Sequence, residues 1–203
     1  MVDRKAFLSL LSKHLYPVLR AEGFKGSGTT LRRARGPVVH VFNVQGSSGS
    51  QHCYLNLGAH LTFLPAEGGL PVVPDKLEES HCVFRGRIHP PPGPGFGWVY
   101  GDSEEDALES VAFIVSEWPL LGHAFFTPYE SFPESFEALI SLAQPDAVQP
   151  RMCLHYARIA VELGQSDAAL AFARSGLERA AERATSLRAD LRKVIAGNWL
   201  VSD

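Results

Sequence analysis

Residues 51–63 alternate, position by position, between two kinds of side chain. Cys53, Leu55, Leu57, Ala59, Leu61 and Phe63 make an apolar series, and His52, Tyr54, Asn56, His60 and Thr62 a polar one. A repeat of two is the repeat of a β-strand, so the segment predicts a strand with one buried and one open face. Residues 38–45 are β-branched and alternate in the same way, 29–35 form a weaker strand, and Gly36-Pro37 marks the turn between them. The 46–50 stretch, Gly-Ser-Ser-Gly-Ser, reads as a hairpin loop. Beyond a Gly/Pro-rich loop, residues 80–89 supply a further strand. Its Cys82, Phe84 and Ile88 match the core side, while His81, Arg85, Arg87 and His89 do not.

Helices flank this sheet. Asp3 is placed to cap a first helix whose Phe7, Leu8, Leu11, Leu15, Val18 and Leu19 recur at three- and four-residue steps. Gly23 ends it, and Pro17 predicts a kink or an early stop. After the Pro/Gly connector of residues 90–97, Ser103 and Asp106 form a capping-box pattern. The helix that follows is apolar on most of its circumference, which predicts burial, with short helices near 121–126 and 134–143. From Pro150 onward, Tyr156, Ala157, Ala160, Leu163 and Gly164, then Ala168, Ala169, Ala173 and Leu177, look like a tetratricopeptide-like helix pair. A last helix spans 185–196, with Trp199 as an apolar anchor.

The predicted fold is therefore α+β. An N-terminal helix packs on a three- to four-stranded antiparallel sheet, followed by a mainly helical C-terminal half. Residues 1–147 form the α+β domain, and residues 148–203 a helical appendage docked on it.

A chain of 203 residues with 45% hydrophobic and 20% charged residues can bury a core without disulfides or a structural metal. Three cysteines without a CxxC spacing predict free, buried thiols. Lys13 and His14 interrupt the first apolar run before a signal sequence is complete, and no apolar run is long enough to span a bilayer. The expectation is a cytoplasmic protein without membrane contact, and no feature fixes an oligomeric state.

Net charge is −3, but unevenly spread. Residues 1–100 carry 11 Lys/Arg against 6 Asp/Glu, residues 101–147 carry 10 acids and no Lys or Arg, and the remainder 8 against 6. An acidic whole argues against nucleic acid as a partner. The acidic middle, with Glu104, Glu105 and Asp106 at its head, offers a surface to a basic protein partner.

Leu15, Pro17 and Leu19 lead into Gly23-Phe24, and Phe42-Asn43-Val44-Gln45 is followed by Ser47. Next come Tyr54-Leu55-Asn56-Leu57-Gly58 and then His81-Cys82-Val83-Phe84-Arg85-Gly86-Arg87. In order and spacing these four segments resemble the bacterial family named domain of unknown function 4304, over about residues 3–118. The likeness implies an α+β fold and a bacterial origin, and carries no activity.

The open sheet face supplies the candidate site. Asn43 and Gln45 join Tyr54, Asn56 and His60, and the neighbouring strand adds His81, Arg85 and Arg87. A register that sets His60 against His81 also sets Asn56 against Arg85 and Tyr54 against Arg87. Guanidinium forks, amides and a phenol ring suit a small anionic or polar ligand. His52 and His60 are about 26 Å apart at strand rise and cannot share a metal, and a third ligand for a His60/His81 pair has no source, so neither metal nor cofactor is expected. No catalytic motif survives inspection. Proline fills the gaps between Gly93, Gly95 and Gly97, the 26–30 segment lacks the phosphate-loop lysine, and 46–49 is no nucleophile elbow. The reading is a non-enzymatic binding module, of the immunity type if the acidic surface holds a basic partner. The alternative is an enzyme or ligand-binding protein working on the sheet face. RNA contact through Tyr54 and the Arg32/Arg33/Arg35 group is a third reading.

Overall fold

In the computed structural model the described residues are 1–47, 51–66, 69, 71–91, 93 and 96–198. The tip of the expected 46–50 loop, parts of the two Pro/Gly-rich loops and Trp199 lie outside them. The chain divides into two compact units, Met1–Glu130 and Ser131–Asp203.

The first unit is α+β. Helix α1 (Arg4–His14) starts where Asp3 accepts a hydrogen bond from the Ala6 amide at 2.8 Å. The helical run breaks at Leu15, and α2 (Tyr16–Ala21) restarts with Pro17 in its first turn, where a missing N–H costs nothing. Gly23, at φ 93°, then turns the chain into the sheet. Six antiparallel strands follow among the described residues, two more than the upper expectation. They are β1 (Lys25–Ser27), β2 (Thr30–Arg35), β3 (Val38–Gly46), β4 (His52–Leu61), β5 (Phe84–Ile88) and β6 (Trp98–Val99). Their order is β1-β2-β3-β4-β5, and β6 also pairs with β4. The additional members, β1 and β6, are too short to show periodicity.

Helix α3 (Glu104–Phe126) opens on the expected capping box between Ser103 and Asp106, and runs on through Pro119 as one helix instead of two. It buries Ala107, Val111, Ile114, Trp118, Gly122 and Phe126, but leaves Leu108, Phe113 and Leu120 in solvent, so the expected all-round burial does not hold. With α1 and α2 it covers one sheet face. Phe7, Leu11, Leu15 and Leu19 meet Phe42, Val44, Leu55, Leu57 and Trp118 in a single core.

The second unit contains α4 (Glu134–Leu142), α5 (Pro150–Glu162), α6 (Ser166–Arg179) and α7 (Thr185–Ile195). Gly164, at φ 71°, ends the first of the α5/α6 pair. Small residues set how closely the pair packs: a Cβ on Gly176 would stand 2.8 Å from the Cys153 Cβ. Arg179, at the end of α6, donates to the Pro145 and Val148 carbonyls, both at 2.6 Å, and ties the α4–α5 connection to α6.

Candidate functional site

The second sheet face is organised in rows that run across the strands. One row is Thr30–Asn43–Asn56–Arg87, each directly opposite the next on β2, β3, β4 and β5. The next row towards the far end is Arg32–Val41–Gly58–Arg85, then Ala34–Val39–His60. On the other side, Gln45 faces Tyr54. The β4–β5 pairing is thus shifted two residues from the expected register: Asn56 opposes Arg87, Gly58 opposes Arg85, and His81 is not on a strand at all. A two-residue shift preserves the face of each side chain, so the expected residues of β3, β4 and β5 still share one face.

Only half of that face is open. The β4–β5 connection folds back over the His60 end through two single-turn 3-10 helices, Pro74–Lys76 and Glu79–His81. Leu77 and Cys82 from this cover join Val39 and Val41 in a small second core. Cys82 therefore packs on the face opposite to the one expected, against the gap left by Gly58. A Cβ on Gly58 would come within 2.7 Å of the Cys82 Sγ and 3.4 Å of the Glu79 Cα. Gly58→Ala should accordingly destabilise by about 1–3 kcal/mol through overpacking. The check is a urea midpoint, and an unchanged midpoint would mean that the cover yields freely.

Polar residues beneath the cover are occupied in holding it. His60 is fully buried. It accepts from the Val83 amide at Nδ1 (3.1 Å), which leaves the ring proton on Nε2 to donate to the Leu64 carbonyl (3.1 Å). Burial lowers its pKa below the usual histidine value, with the Leu64 bond opposing. The Arg85 Nε donates to Glu79 at 2.6 Å, and the Arg32 Nε donates to the Leu77 carbonyl at 2.6 Å. His60, His81 and Arg85 are thereby withdrawn from the expected ligand set: two fasten the cover and one is part of it.

The remaining residues converge. Asn56, 3% exposed, is the centre of the open half. Its Oδ1 accepts from the Arg87 Nε at 2.8 Å, and its Nδ2 donates to Gln45 Oε1 at 3.0 Å and weakly to Asn43 Oδ1 at 3.5 Å. Asn43 in turn donates to the Thr30 hydroxyl at 2.9 Å. The Arg87 guanidinium lies over the Tyr54 ring, 4.2 Å from its centre, and the Tyr54 hydroxyl meets His52 Nε2 at 3.1 Å. Beside Tyr54 the edge strand is interrupted. Ile88, the last residue of β5, opposes Leu55, and Trp98, the first of β6, opposes Cys53, so β5 and β6 pair with successive stretches of β4.

Chemically, this is a guanidinium held at its inner nitrogen and on one face. Its two terminal nitrogens have no acceptor among the described residues. No carboxylate or thiol stands beside it in the Thr30–Asn43–Asn56–Arg87 row. Cys53 and Cys82 are buried free thiols whose pKa values burial pushes up to about 12, which suits packing and not attack. Among the described residues no group of three or more potential metal ligands occurs, and no helix is long and apolar enough to cross a membrane.

A second polar cluster escaped the sequence reading. Glu22, Arg33, Arg35, His123, Phe126, Thr127 and Glu130 line an open concavity of about 330 Å³ on the other side of the sheet. Its charges are spent on one another. Arg33, 7% exposed, donates to Glu130 (3.0 Å) and to His40 Nδ1 (3.1 Å), and Arg35 also pairs with Glu130. Burial, then the neighbouring Arg35, lowers the Arg33 pKa to about 10, leaving it charged near neutrality. Glu22 Oε1 accepts from the Trp118 indole at 2.8 Å and contacts His123 at 2.9 Å. Arg32 and Arg33 therefore lie on opposite faces, and the Arg32/Arg33/Arg35 group does not form one surface for RNA. A signal was present: Arg33 and His40 share the strand parity of Leu31 and Phe42, which places charge and imidazole at inward positions. The third expected surface, Glu104, Glu105 and Asp106, lies exposed in the first turn of α3. There Asp106 is engaged with Ser103, and all three favour the helix dipole.

A family model described as domain of unknown function (DUF4304) matches residues 15–117, which include all six strands and the whole polar row. No curated protein and no solved structure matches the chain.

Proposed function

Because the chain belongs to the family of the domain of unknown function DUF4304, and that domain carries the polar row, we propose that it is a non-enzymatic binding module holding an oxyanion at Arg87. A carboxylate or phosphate group is the ligand chemistry. The observation that carries this reading is the Arg87 side chain itself: Nε fixed on buried Asn56, one guanidinium face on Tyr54, and the terminal nitrogens without an acceptor among the described residues. Ordering an arginine side chain ordinarily costs binding entropy, and here the protein has already ordered it. Gln45 accepts from Asn56 and His52 meets the Tyr54 hydroxyl, so both adjoin the residues that hold Arg87.

The test uses inorganic phosphate and acetate as probes, followed by calorimetry. Arg87→Gln should weaken binding by about 2 kcal/mol, the value of a charge-assisted hydrogen bond lost. The urea midpoint should fall by the equivalent of about 1–3 kcal/mol, because the buried Asn56 Oδ1 loses its donor, while the circular dichroism spectrum stays that of the folded chain. Asn56→Leu keeps the charge but releases its anchor and should fall between wild type and Arg87→Gln. Equal affinity in all three proteins would remove Arg87 from the reading.

A further inference from the structure

On the side of the sheet away from β1, β5 is the last strand, and the hydrogen bonds of β4 fix which of its backbone groups point outward. Successive residues of a sheet strand bond alternately to one neighbour and to the other. The His52 carbonyl accepts from the Ser47 amide, and the Thr62 amide donates to the Pro37 carbonyl, so the even residues of β4 turn towards β3. The Gln51 carbonyl accepts from the Tyr100 amide, so the odd ones turn the other way, towards β5 and β6. Leu55, Leu57 and Ala59 therefore bond to Ile88, Gly86 and Phe84, and the N–H and C=O of Arg85 and Arg87 point out of the sheet edge. Among the described residues no strand pairs with β5 on that side, and the Arg87 N–H and C=O have no partner. β1, the opposite edge, is three residues long.

We propose that the β5 edge binds an extended, acidic segment of another protein as an added strand, with one carboxylate side chain on the Arg87 fork. In this reading, which rests on the oxyanion site above, the ligand carboxylate comes from a peptide. In either strand direction the residue directly opposite Arg87 turns its side chain to the face on which Arg87 lies over Tyr54. A glutamate there meets the terminal guanidinium nitrogens while the backbone completes the edge. Its neighbours turn to the other face, beside Gly86 and the Phe125 ring that fills the space over it, which suits apolar side chains. Charge decides the occupant. A second copy adding through the same edge would set Arg85 and Arg87, both exposed on one face, against the same arginines. A nucleic acid would meet Arg87 but has no N–H and C=O ladder to pair with the edge.

The probe is a capped peptide, Thr-Val-Glu-Val-Thr, titrated into the full chain and followed by nitrogen–proton NMR. The Arg87 amide should move downfield as it gains an acceptor, while the Gly86 amide, already bonded to β4, moves little. The peptide should bind at least about tenfold more tightly than acetate, and about tenfold more weakly with glutamine for glutamate. An N-methyl group on the glutamate amide blocks an antiparallel added strand, and one on the following valine a parallel one. One of the two should therefore cost about tenfold. In Arg87→Gln the glutamate and glutamine peptides should bind alike. If the peptide binds no more tightly than acetate, or if neither N-methyl group weakens it, the added strand is wrong and the oxyanion site stands. If the glutamate and glutamine peptides bind the wild-type chain equally, the carboxylate contact is wrong; the oxyanion site falls with it only if acetate also leaves the Arg87 side chain unmoved. A dimer in sedimentation that the peptide dissociates would overturn the proposal in favour of a second copy.

Discussion

Trp118→Ala should cost the first unit about 3–5 kcal/mol, the usual range for deleting a large buried aromatic. Trp118 is fully buried, with Phe42 at 5.8 Å, Phe126 at 6.2 Å and Phe24 at 6.4 Å between ring centres. It joins α3 to the sheet and to the chain entering β1, and its indole donates to Glu22. Its ring neighbours are held on β3, on α3 itself and on the turn between α2 and β1, which limits their collapse into the space. Trp118→Phe separates the two contributions: it refills most of the volume and loses only the hydrogen bond, so it should cost about 1–2 kcal/mol. Urea denaturation of both variants checks this. Equal losses would mean that the bond to Glu22, not the packing, holds α3 in place.

Acid should destabilise the same unit through His40. The Arg33 Nε–H points at Nδ1, so the ring proton sits on Nε2, which donates to the Tyr129 carbonyl at 2.8 Å. Burial lowers its pKa from 6.5 to about 4; Arg33 and Arg35 act in the same direction and the Tyr129 bond opposes. An unfolded chain takes up this proton below about pH 6.5, while the folded one resists until about pH 4. Stability is therefore complete above pH 6.5 and lost as pH falls towards 4, by about 3 kcal/mol from this group. His60, whose pKa burial also lowers, adds in the same direction. His40→Asn should be less stable at neutral pH yet show a shallower fall between pH 6.5 and 4. A slope identical to wild type would exclude His40 as its source.

The strand pattern was legible because burial on one side of a sheet writes itself into alternate positions. It yielded the parity of β3, β4 and β5, and hence the set of side chains sharing a face. Register was not legible. Cys82 has the parity and polarity of a core-facing strand residue, but residues 79–81 form a 3-10 turn and the strand begins only at Phe84. The cover rests on Leu77 and Cys82, too few apolar residues to make a period. It converted His60 and Arg85 from candidates into fastenings. The Arg33–His40–Glu130 cluster joins positions up to 97 residues apart, a separation that local pattern cannot read. Capping at Asp3 and Ser103 and the stops at Gly23 and Gly164 were legible because each depends only on its own turn of chain.

The central claim is that Arg87, anchored on Asn56 and Tyr54, is an oxyanion receptor. A nitrogen–proton NMR titration of the wild-type chain with inorganic phosphate tests it most directly. Saturable shifts confined to Gln45, Tyr54, Asn56 and the Arg87 side chain, and abolished in Arg87→Gln, are the expected result. Saturable shifts elsewhere that survive in Arg87→Gln, or no saturable shift at all, would contradict it.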